Sequence, residues 1–419
     1  MRFRPMLKFT SAVHVMLLAG LLCCATNTTA QNMQFDILDG EERVEIPFEY
    51  AHNFILIDIR LFGLLPMRFI FDTGAEHTIL FKREYADFLN VQYDIRIPII
   101  GSDQERELFA MVARSVDLEL VGLAPQKRDI LVLEENYFHL DEITGTQIHG
   151  IIGGGFFRNV VVQIDYKKER LILHNAAQFD PPGKAFRSLK VEMVSNKPYI
   201  KATGTLLDDT KLGLDLLIDT GAGLPLLLHS NSHPKLEPPE ELILGKLGVG
   251  LGGYIQGSIG RIKSLEIKDV QFEFVLTSFQ DLSQAITVDS QRLRNGLIGN
   301  QLLSRFEVYL DYMNETLYLR PEGHYKRQFK MDRSGLIIFA LGHSLNEFVV
   351  QDLIIGSPAA EAGILPGDII RRIQGLPSRL YSLDQITSIL QKRVGKRIKL
   401  VVERNNRLIK VQFTLRELI

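Results

Sequence analysis

Two aspartates in this chain share the same local sequence, and that sequence is typical of a catalytic carboxylate. Asp72 and Asp219 each end an apolar run of β-strand character, and each is followed by Thr-Gly-Ala. A strand that delivers an Asp and then turns on a Gly projects the carboxylate from a rigid element, as a catalytic site requires. A single Asp-Thr-Gly is a weak signal because short motifs occur by chance. The matched pair is a much stronger one.

The match between the two halves of the chain extends beyond these motifs. Asp219 follows Asp72 by 147 residues (219 − 72 = 147), and Gly-Leu-Ile-Gly at 296–299 follows Gly-Ile-Ile-Gly at 150–153 by 146 (296 − 150 = 146). A third landmark, at residues 162–173, recurs at 308–319 with the same offset of 146 (308 − 162 = 146). Solenoid repeats have periods of about 20 to 50 residues, so this duplication predicts two lobes.

Asp-Thr-Gly-Ala after an apolar strand, with an apolar-apolar-Gly step 78 residues later (150 − 72 = 78), resembles the aspartic proteases of retropepsin and pepsin type. The Asp-Thr-Gly-Ala form is nearer to the retropepsin side. The resemblance covers residues 35 to 322. Because both halves lie in one chain, it implies a fused, two-lobed protease in which Asp72 and Asp219 form the catalytic dyad.

The resemblance also implies roles for the residues around the dyad. The two threonine hydroxyls would brace the loops against each other across the lobe interface, and the two glycines would let the backbone approach the shared water and the substrate. These supporting residues are Thr73, Gly74, Thr220 and Gly221. The Gly-Ile-Ile-Gly and Gly-Leu-Ile-Gly segments would pass beneath the aspartate loops and support them.

A carboxylate pair of this kind performs general acid–base hydrolysis. Two carboxylates at about 3 Å cannot both be ionised, so they share a proton that belongs to the pair. The ionised partner takes a proton from water, and the protonated partner polarises a peptide carbonyl. Ala75 and Ala222 stand where the pepsin pattern usually has Ser or Thr. Fewer donors then reach the charged form, so we expect activity nearer to neutral pH than for pepsin.

The rival interpretation is a non-catalytic peptide-binding envelope protein that keeps the protease fold with two buried turn aspartates. Intact Asp-Thr-Gly in both halves favours an endopeptidase acting on protein or peptide substrates, because loss of activity would let at least one copy drift. The sequence contains no Gly-x-Ser-x-Gly or Gly-Asn-Ser-Gly-Gly nucleophile motif and no P-loop. A serine protease and a phosphate-handling enzyme of those types are therefore excluded.

Each lobe, or one of them, is expected to cover the substrate with a flap. The glycine-rich run from Lys246 to Gly260 predicts a mobile hairpin that closes over a peptide. A long surface loop is the alternative interpretation of the same run. In the first lobe the equivalent segment lies near Ile97 to Met111.

No metal site or cofactor is predicted. His229 and His233 are four residues apart, but Pro234 and the polar neighbours indicate a loop rather than a helix face. The spacing therefore carries no ligand geometry, and we expect surface histidines.

The N-terminus has the composition of a secretory signal peptide, predicted over residues 1–30. A basic opening precedes an apolar stretch at 13–22, and small residues precede Gln31. A retained membrane anchor is the alternative, and lipidation at Cys23 or Cys24 is less favoured because leucines precede them. No later segment is long and apolar enough to cross a membrane. By analogy with similar architectures, we expect the periplasm or cell surface of a Gram-negative bacterium.

The composition is that of a globular protein that depends on its hydrophobic core. Apolar residues make up 46%, and both cysteines lie in the predicted signal, so no disulfide is expected after it. A formal net charge of −2 gives no electrostatic footprint for nucleic acid, which we exclude as a partner.

From residue 335 onward the sequence strongly resembles a PDZ domain of the bacterial, protease-attached type. The run Gly-Ser-Pro-Ala-Ala-x-Ala-Gly-Ile-x-Pro-Gly-Asp-Ile-Ile at 356–370 carries this resemblance. Such a domain adds a peptide to a sheet edge and captures its C-terminal carboxylate. The loop here lacks the usual second Gly, and a PDZ fold that serves only as a structural element is the alternative. The expected peptide-binding residues are Gly335, Leu336, Ile337, Ile338, Ile386, and Ile389 or Leu390.

The predicted fold class is mostly β: a two-lobed acid-protease-type β-barrel fold followed by a small α+β PDZ domain. The predicted domains are the signal peptide at 1–30, lobe 1 at 31–180, lobe 2 at 185–322 and the PDZ domain at 333–419. The predicted function is an exported aspartic endopeptidase whose PDZ domain binds a substrate or partner peptide.

Overall fold

The computed structural model describes residues 42–100, 107–250, 253–282 and 294–419. The predicted signal peptide lies outside this part of the chain. The described chain is mostly β, as the turn-rich sequence predicts. No helix within the described ranges is long and apolar enough to cross a membrane.

The described residues of the first copy of the duplicated unit, lobe 1, form eleven strands and two short α-helices. Apolar and polar residues alternate along its strands, so one face of each enters the core, as with Val44 and Ile46 in the first strand. The strands are β1 (Arg43–Pro47), β2 (Glu49–Ala51), β3 (Phe54–Leu61), β4 (Leu65–Asp72), β5 (Ile79–Leu80), β6 (Tyr93–Ile100), β7 (Glu107–Glu119), β8 (Gln126–Leu133), β9 (Gly150–Gly153), β10 (Val160–Asp165) and β11 (Arg170–Asn175), and the helices are α1 (Arg83–Phe88) and α2 (Leu140–Thr144).

The second copy, lobe 2, repeats this order after residues 176–186, where Pro-Pro-Gly separates the strands of the two copies. Its single described helix follows the Gly-Leu-Ile-Gly strand. The elements are β12 (Arg187–Lys190), β13 (Glu192–Val194), β14 (Lys197–Thr205), β15 (Lys211–Asp219), β16 (Leu226–His229), β17 (Ile243–Gly250), β18 (Gly253–Ile267), β19 (Val270–Gln280), β20 (Gly296–Gly299), α3 (Asn300–Leu303), β21 (Phe306–Asp311) and β22 (Thr316–Pro321).

Sheet topology confirms the duplication strand by strand. Lobe 1 forms an eight-stranded sheet in the order β2-β3-β4-β9-β5-β8-β7-β6, and β3 also pairs with β7. Lobe 2 forms β13-β14-β15-β20-β16-β19-β18-β17, and β14 also pairs with β18. The extra pairing curls each sheet back on itself, which gives the barrel character predicted from the sequence.

A third sheet joins the two copies. Its order is β1-β11-β10-β21-β22-β12, so each copy supplies three of its six strands. The copies meet where β10 pairs antiparallel with β21. One large hydrophobic core runs through both copies, with buried side chains from Val44 to Phe329. The shared sheet and the common core therefore hold the two lobes together as one unit. A site formed between the lobes requires this.

The C-terminal domain has its own sheet and its own core. Its strands are ordered β23-β24-β25-β27-β28, with β26 paired to β25, and its helices pack on this sheet. The elements are β23 (Leu336–Leu341), β24 (Glu347–Leu353), α4 (Pro358–Glu361), β25 (Ile369–Ile373), β26 (Leu376–Pro377), α5 (Leu383–Leu390), β27 (Arg397–Arg404) and β28 (Arg407–Thr414). Ser382 caps α5 with a full capping box, in which its side chain accepts from the Gln385 N–H and the Gln385 side chain accepts from the Ser382 N–H.

The segment between lobe 2 and the C-terminal domain is fixed at one point. Phe329 is buried in the core of the two lobes, and the Arg305 guanidinium lies 3.9 Å from its ring centroid. The Arg305 side chain also donates to the carbonyls of Tyr325 and Arg327. A cation over a buried aromatic face stabilises such a contact, so this segment is held against lobe 2.

Candidate active site

The two aspartates end equivalent strands. Asp72 is the last residue of β4 and Asp219 is the last residue of β15. Each strand pairs in parallel with the glycine-bounded strand of its own lobe, β9 or β20, so the final Gly of that strand faces the aspartate in register. The expectation that these glycine-bounded segments support the aspartate loops is confirmed.

Those glycines are required because the loop backbone passes directly over them. A methyl group added to Gly153 would meet the carbonyl oxygen of His77 at 2.6 Å, and one added to Gly299 would meet that of Leu224 at 2.1 Å. The backbone N–H of Asn300 donates to the Ala222 carbonyl at 2.7 Å, which fixes the second aspartate loop from below. A larger residue at either glycine would displace the loop that carries the carboxylate.

Thr73 and Thr220 join the two loops by reciprocal hydrogen bonds. The Thr73 N–H donates to Thr220 Oγ1 at 3.0 Å, and the Thr220 N–H donates to Thr73 Oγ1 at 3.1 Å. Each hydroxyl then donates across the interface to the strand behind the other loop, to Ile218 O at 2.7 Å and Phe71 O at 2.8 Å. Both side chains are fully buried. Four hydrogen bonds therefore join the two aspartate loops across the interface between the lobes.

Gly74 and Gly221 bring the two carboxyl groups together. A methyl group added to Gly221 would lie 2.2 Å from Cγ of Asp72, and one added to Gly74 would lie 2.5 Å from Cγ of Asp219. Each carboxyl group therefore packs against the glycine of the opposite loop, which places the two carboxyl groups beside each other. Only a residue without a side chain fits here.

Backbone N–H groups hold one oxygen of each carboxyl. Asp72 Oδ1 accepts from Gly74 N at 2.7 Å and from Ala75 N at 3.1 Å, and Asp219 Oδ1 accepts from Gly221 N at 2.9 Å. This arrangement orients both carboxyl groups without using a side-chain donor from the position occupied by Ala75 or Ala222.

Burial dominates the electrostatics of the pair. Burial, and after it the charge of Asp219, raise the pKa of Asp72 well above the usual aspartate range. Burial also raises the pKa of Asp219, and the positive charge of Arg294 opposes that rise. The raised pKa of Asp72 has the direction expected of a carboxyl group that lies beside an ionised partner.

A buried polar network beneath the second loop breaks the two-fold symmetry. Asn300 donates from Nδ2 to Asn53 O at 2.8 Å, and Asn53 donates in turn to Gly223 O at 3.0 Å. The Tyr166 hydroxyl donates to Asn300 Oδ1. Asn53 lies in the turn between β2 and β3, so lobe 1 supports the aspartate loop of lobe 2 through this network.

The equivalent position in lobe 1 is Gly154, which has no amide to offer. Tyr312, the counterpart of Tyr166, is buried beside it, and its hydroxyl has no hydrogen-bond partner among the described residues. Burial and the negative charge of Asp72 raise the Tyr312 pKa. Sequence analysis missed Asn53 and Asn300, although the Gly154–Asn300 difference at matched repeat positions was a readable signal.

Both predicted flap segments are antiparallel hairpins where they are described. β6 pairs with β7 in lobe 1, and β17 pairs with β18 in lobe 2. Residues 101–106 and 251–252, which connect these strands in sequence, lie outside the described residues. The glycine-rich run is therefore built on a hairpin, not on a long surface loop, and closure over a substrate stays a prediction.

The expectation of two surface histidines is wrong for His229. It ends β16 at 2% exposure, and burial lowers its pKa to about 3. The apolar strand before it continues through this position, which the loop interpretation overlooked. Within the described ranges, no group of three or more His, Cys, Asp or Glu side chains is placed to hold a metal ion.

The predicted peptide-binding residues divide between the edge strand and the core of the C-terminal domain. Gly335 has a φ of +79° and precedes edge strand β23, which begins at Leu336. Ile337 and Ile338 are half-buried on this strand. Ile386 and Leu390, however, are buried in the domain core, so they support α5 from inside rather than wall an open groove. The adjacent Ile389 is only partly buried.

Comparisons with known proteins identify the C-terminal part of the chain. Residues 349–404 match the PDZ domain family, so this part is a PDZ domain, as predicted. A 59-residue stretch is 42% identical to "Putative protease Do-like 14" of Arabidopsis thaliana and covers 14% of this chain. The chain spans 12% of the length of that relative.

The structure also has a distant likeness to an aspartic proteinase from Irpex lacteus. The likeness covers 68% of this chain and 98% of that one, at 12% identity and a TM-score of 0.43. It is too distant to support an argument about activity. The assignment of chemistry to the two lobes therefore rests on the geometry of the aspartate site.

Proposed function

We propose that this protein is an exported aspartic endopeptidase in which Asp72 and Asp219 activate water for attack on a peptide bond. The observation that carries this proposal is the paired placement of the carboxyl groups. The two come from different lobes, each packs against the glycine of the opposite loop, and reciprocal threonine bonds fix the spacing. A non-catalytic turn aspartate has no need for a buried, like-charged partner.

The proposed mechanism follows from what each group can do. One carboxylate of the pair is ionised and accepts a proton from the attacking water. The other is protonated and donates a hydrogen bond to the carbonyl oxygen of the scissile bond. The water oxygen bonds to the carbonyl carbon, the C–N bond breaks, and the amine leaves with a proton supplied by the pair. Backbone N–H groups from the Gly and Ala residues keep both carboxyl groups oriented throughout.

Cleavage of a mixed peptide library by the full-length protein, followed by mass spectrometry between about pH 4 and pH 8, tests this function. We expect Asp72→Asn and Asp219→Asn each to abolish cleavage while the far-UV circular dichroism spectrum is unchanged. Asp208→Asn is the matched control, because Asp208 lies in an exposed turn, where its carboxylate accepts from the N–H and the hydroxyl of Thr210. If the native chain cuts no peptide while it still binds peptides, a non-catalytic peptide-binding protein replaces this proposal.

Export is part of the proposal and has its own test. Its support is the basic, apolar and small-residue pattern of residues 1–30. N-terminal sequencing of the protein recovered from fractionated Gram-negative cells should find a chain beginning at Gln31 outside the cytoplasm. A chain that keeps its first residues and stays in the cytoplasmic fraction would refute export without affecting the proposed chemistry.

A further inference from the structure

The PDZ domain has the two elements between which such domains hold a peptide. β23 is the end strand of its sheet, and α5 packs beside it. PDZ domains bind an extended peptide by adding it to the exposed edge of a sheet. We call the space between β23 and α5 the PDZ groove.

Lobe 1 enters this groove at one end. Helix α2 packs against β23, and Gly145, which ends α2 with a φ of +64°, lies between the two walls. A methyl group added to Gly145 would be 3.0 Å from Cβ of Leu383 on α5 and 3.4 Å from Cβ of Ala340 on β23. A peptide strand paired along the whole of β23 would collide with this backbone.

At the other end of the groove, the backbone N–H groups already have hydrogen-bond partners within the chain. Asp332 Oδ1 accepts from Ser334 N at 2.9 Å and from Gly335 N at 2.6 Å. The Leu336 N–H donates to the Ser334 hydroxyl at 3.1 Å, and that hydroxyl donates to Asp332. An internal carboxylate therefore occupies N–H groups at the loop where a C-terminal carboxylate is expected to bind. A peptide carboxylate that binds here would have to replace these existing hydrogen bonds, so its net gain in binding free energy would be small.

Polar contacts link the PDZ domain to both lobes. His52 of lobe 1 lies 3.8 Å from Asp384 at the start of α5. Glu417 bridges Arg333 at 2.7 Å and Arg261 of lobe 2 at 3.8 Å. Partly exposed ion pairs typically contribute about 0–1 kcal/mol. These ion pairs add little to the docking, and Ile419 of the PDZ domain also packs against the core of the two lobes.

From these contacts we infer that the first occupant of the PDZ groove is lobe 1 of the same chain. An extended peptide from another molecule binds β23 only after the Gly145 segment has left. The affinity for such a peptide is reduced by the fraction of molecules in which the groove is free. A reduction of about tenfold corresponds to about 1.4 kcal/mol of lobe 1 contact.

A disulfide between lobe 1 and β23 tests the inference in the full chain. In a Cys23→Ser/Cys24→Ser background, Gly145→Cys and Ala340→Cys would place their Cβ atoms at 3.4 Å, close to the separation of about 3.5–4.5 Å in disulfides. We expect the pair to cross-link on oxidation. The matched control pairs Gly183→Cys with Ala340→Cys, because nothing lies within 4 Å of a methyl group at Gly183, and it should stay reduced.

The readout is hydrogen–deuterium exchange at residues 336–341 with and without a peptide pool randomised at its C-terminus. We expect the pool to slow exchange in the reduced protein, and at least about tenfold more peptide to be needed in the oxidised protein. Gly145→Leu, which forces a side chain between the walls, should need less peptide than the native chain. Equal protection in the oxidised and reduced forms, or no protection even in Gly145→Leu, would overturn the inference.

Discussion

Replacing Thr220 by Val tests how strongly the two lobes are joined at the dyad. Val keeps the shape of Thr but removes a hydroxyl that accepts from Thr73 N at 3.0 Å and donates to Phe71 O at 2.8 Å. Thr220 is 0% exposed, so water cannot take the place of the missing hydroxyl. The Thr73 N–H and the Phe71 carbonyl therefore lose this hydrogen-bond partner. Each unsatisfied buried group costs about 1–3 kcal/mol. We therefore expect the free energy of unfolding to fall by roughly 2–6 kcal/mol.

Thr220→Ser is the matched control because it keeps the hydroxyl and removes one methyl group, at a cost of about 1 kcal/mol. Urea unfolding at 25 °C, followed by far-UV circular dichroism, measures both variants. Thr73→Val should resemble Thr220→Val, because its hydrogen bonds are the reciprocal ones. The two changes together should cost less than their sum, since each removes part of the same joint. If Val and Ser at position 220 unfold at the same urea concentration, the hydroxyl does not join the lobes and the reasoning is refuted.

Three further predictions concern the residues around this joint. Gly221→Ala should reduce kcat/KM at least about 100-fold because its methyl group would lie 2.2 Å from Cγ of Asp72, whereas Gly213→Ala, in the preceding strand β15 with nothing within 4 Å, should leave it unchanged. Asn300→Leu leaves the Tyr166 hydroxyl and a backbone carbonyl unpaired, so its free energy of unfolding should be about 2–4 kcal/mol lower; a change under about 0.5 kcal/mol would contradict the network. Asp72→Asn should be more stable than the native chain at pH 7 and as stable as the native chain near pH 3. Thermal unfolding of both proteins between pH 3 and pH 7 measures this difference. The folded pKa of Asp72 is raised, so the native chain loses stability as pH rises above the ordinary aspartate pKa, at about 1.4 kcal/mol per pKa unit, and Asn removes this loss. If the native chain instead becomes more stable relative to Asp72→Asn as pH rises, the direction of the Asp72 pKa shift is opposite to the one used here and the reasoning is refuted.

The duplicated fold was predictable because its signals are local and repeated. Strand, aspartate and turn are adjacent in sequence, and the matching offsets of the glycine-bounded strands predicted which segments lie under the aspartate loops. Parallel pairing of β4 with β9 and of β15 with β20 agrees with that prediction. The bracing role of Thr73 and Thr220 is implied by the resemblance to aspartic proteases. In the structure, reciprocal hydrogen bonds join these two residues.

The contacts that sequence analysis missed join residues far apart in the chain. Asn53 and Asn300 are 247 residues apart, so only the folded chain brings them together. The approach of Gly145 to the PDZ groove depends on how two domains dock, which neither sequence pattern specifies. His229 was assigned to the surface from its polar neighbours, yet burial is decided by the strand it ends, β16.

The central claim is that Asp72 and Asp219 act as one site, and the dependence of kcat/KM on both residues tests it most directly. The assay compares Asp72→Asn, Asp219→Asn and the double variant on one cleaved peptide. Residues that act as a unit give strongly non-additive losses. We predict that all three variants fall to the same background rate. Losses that multiply in the double variant, or activity that survives either single change, would contradict a shared dyad.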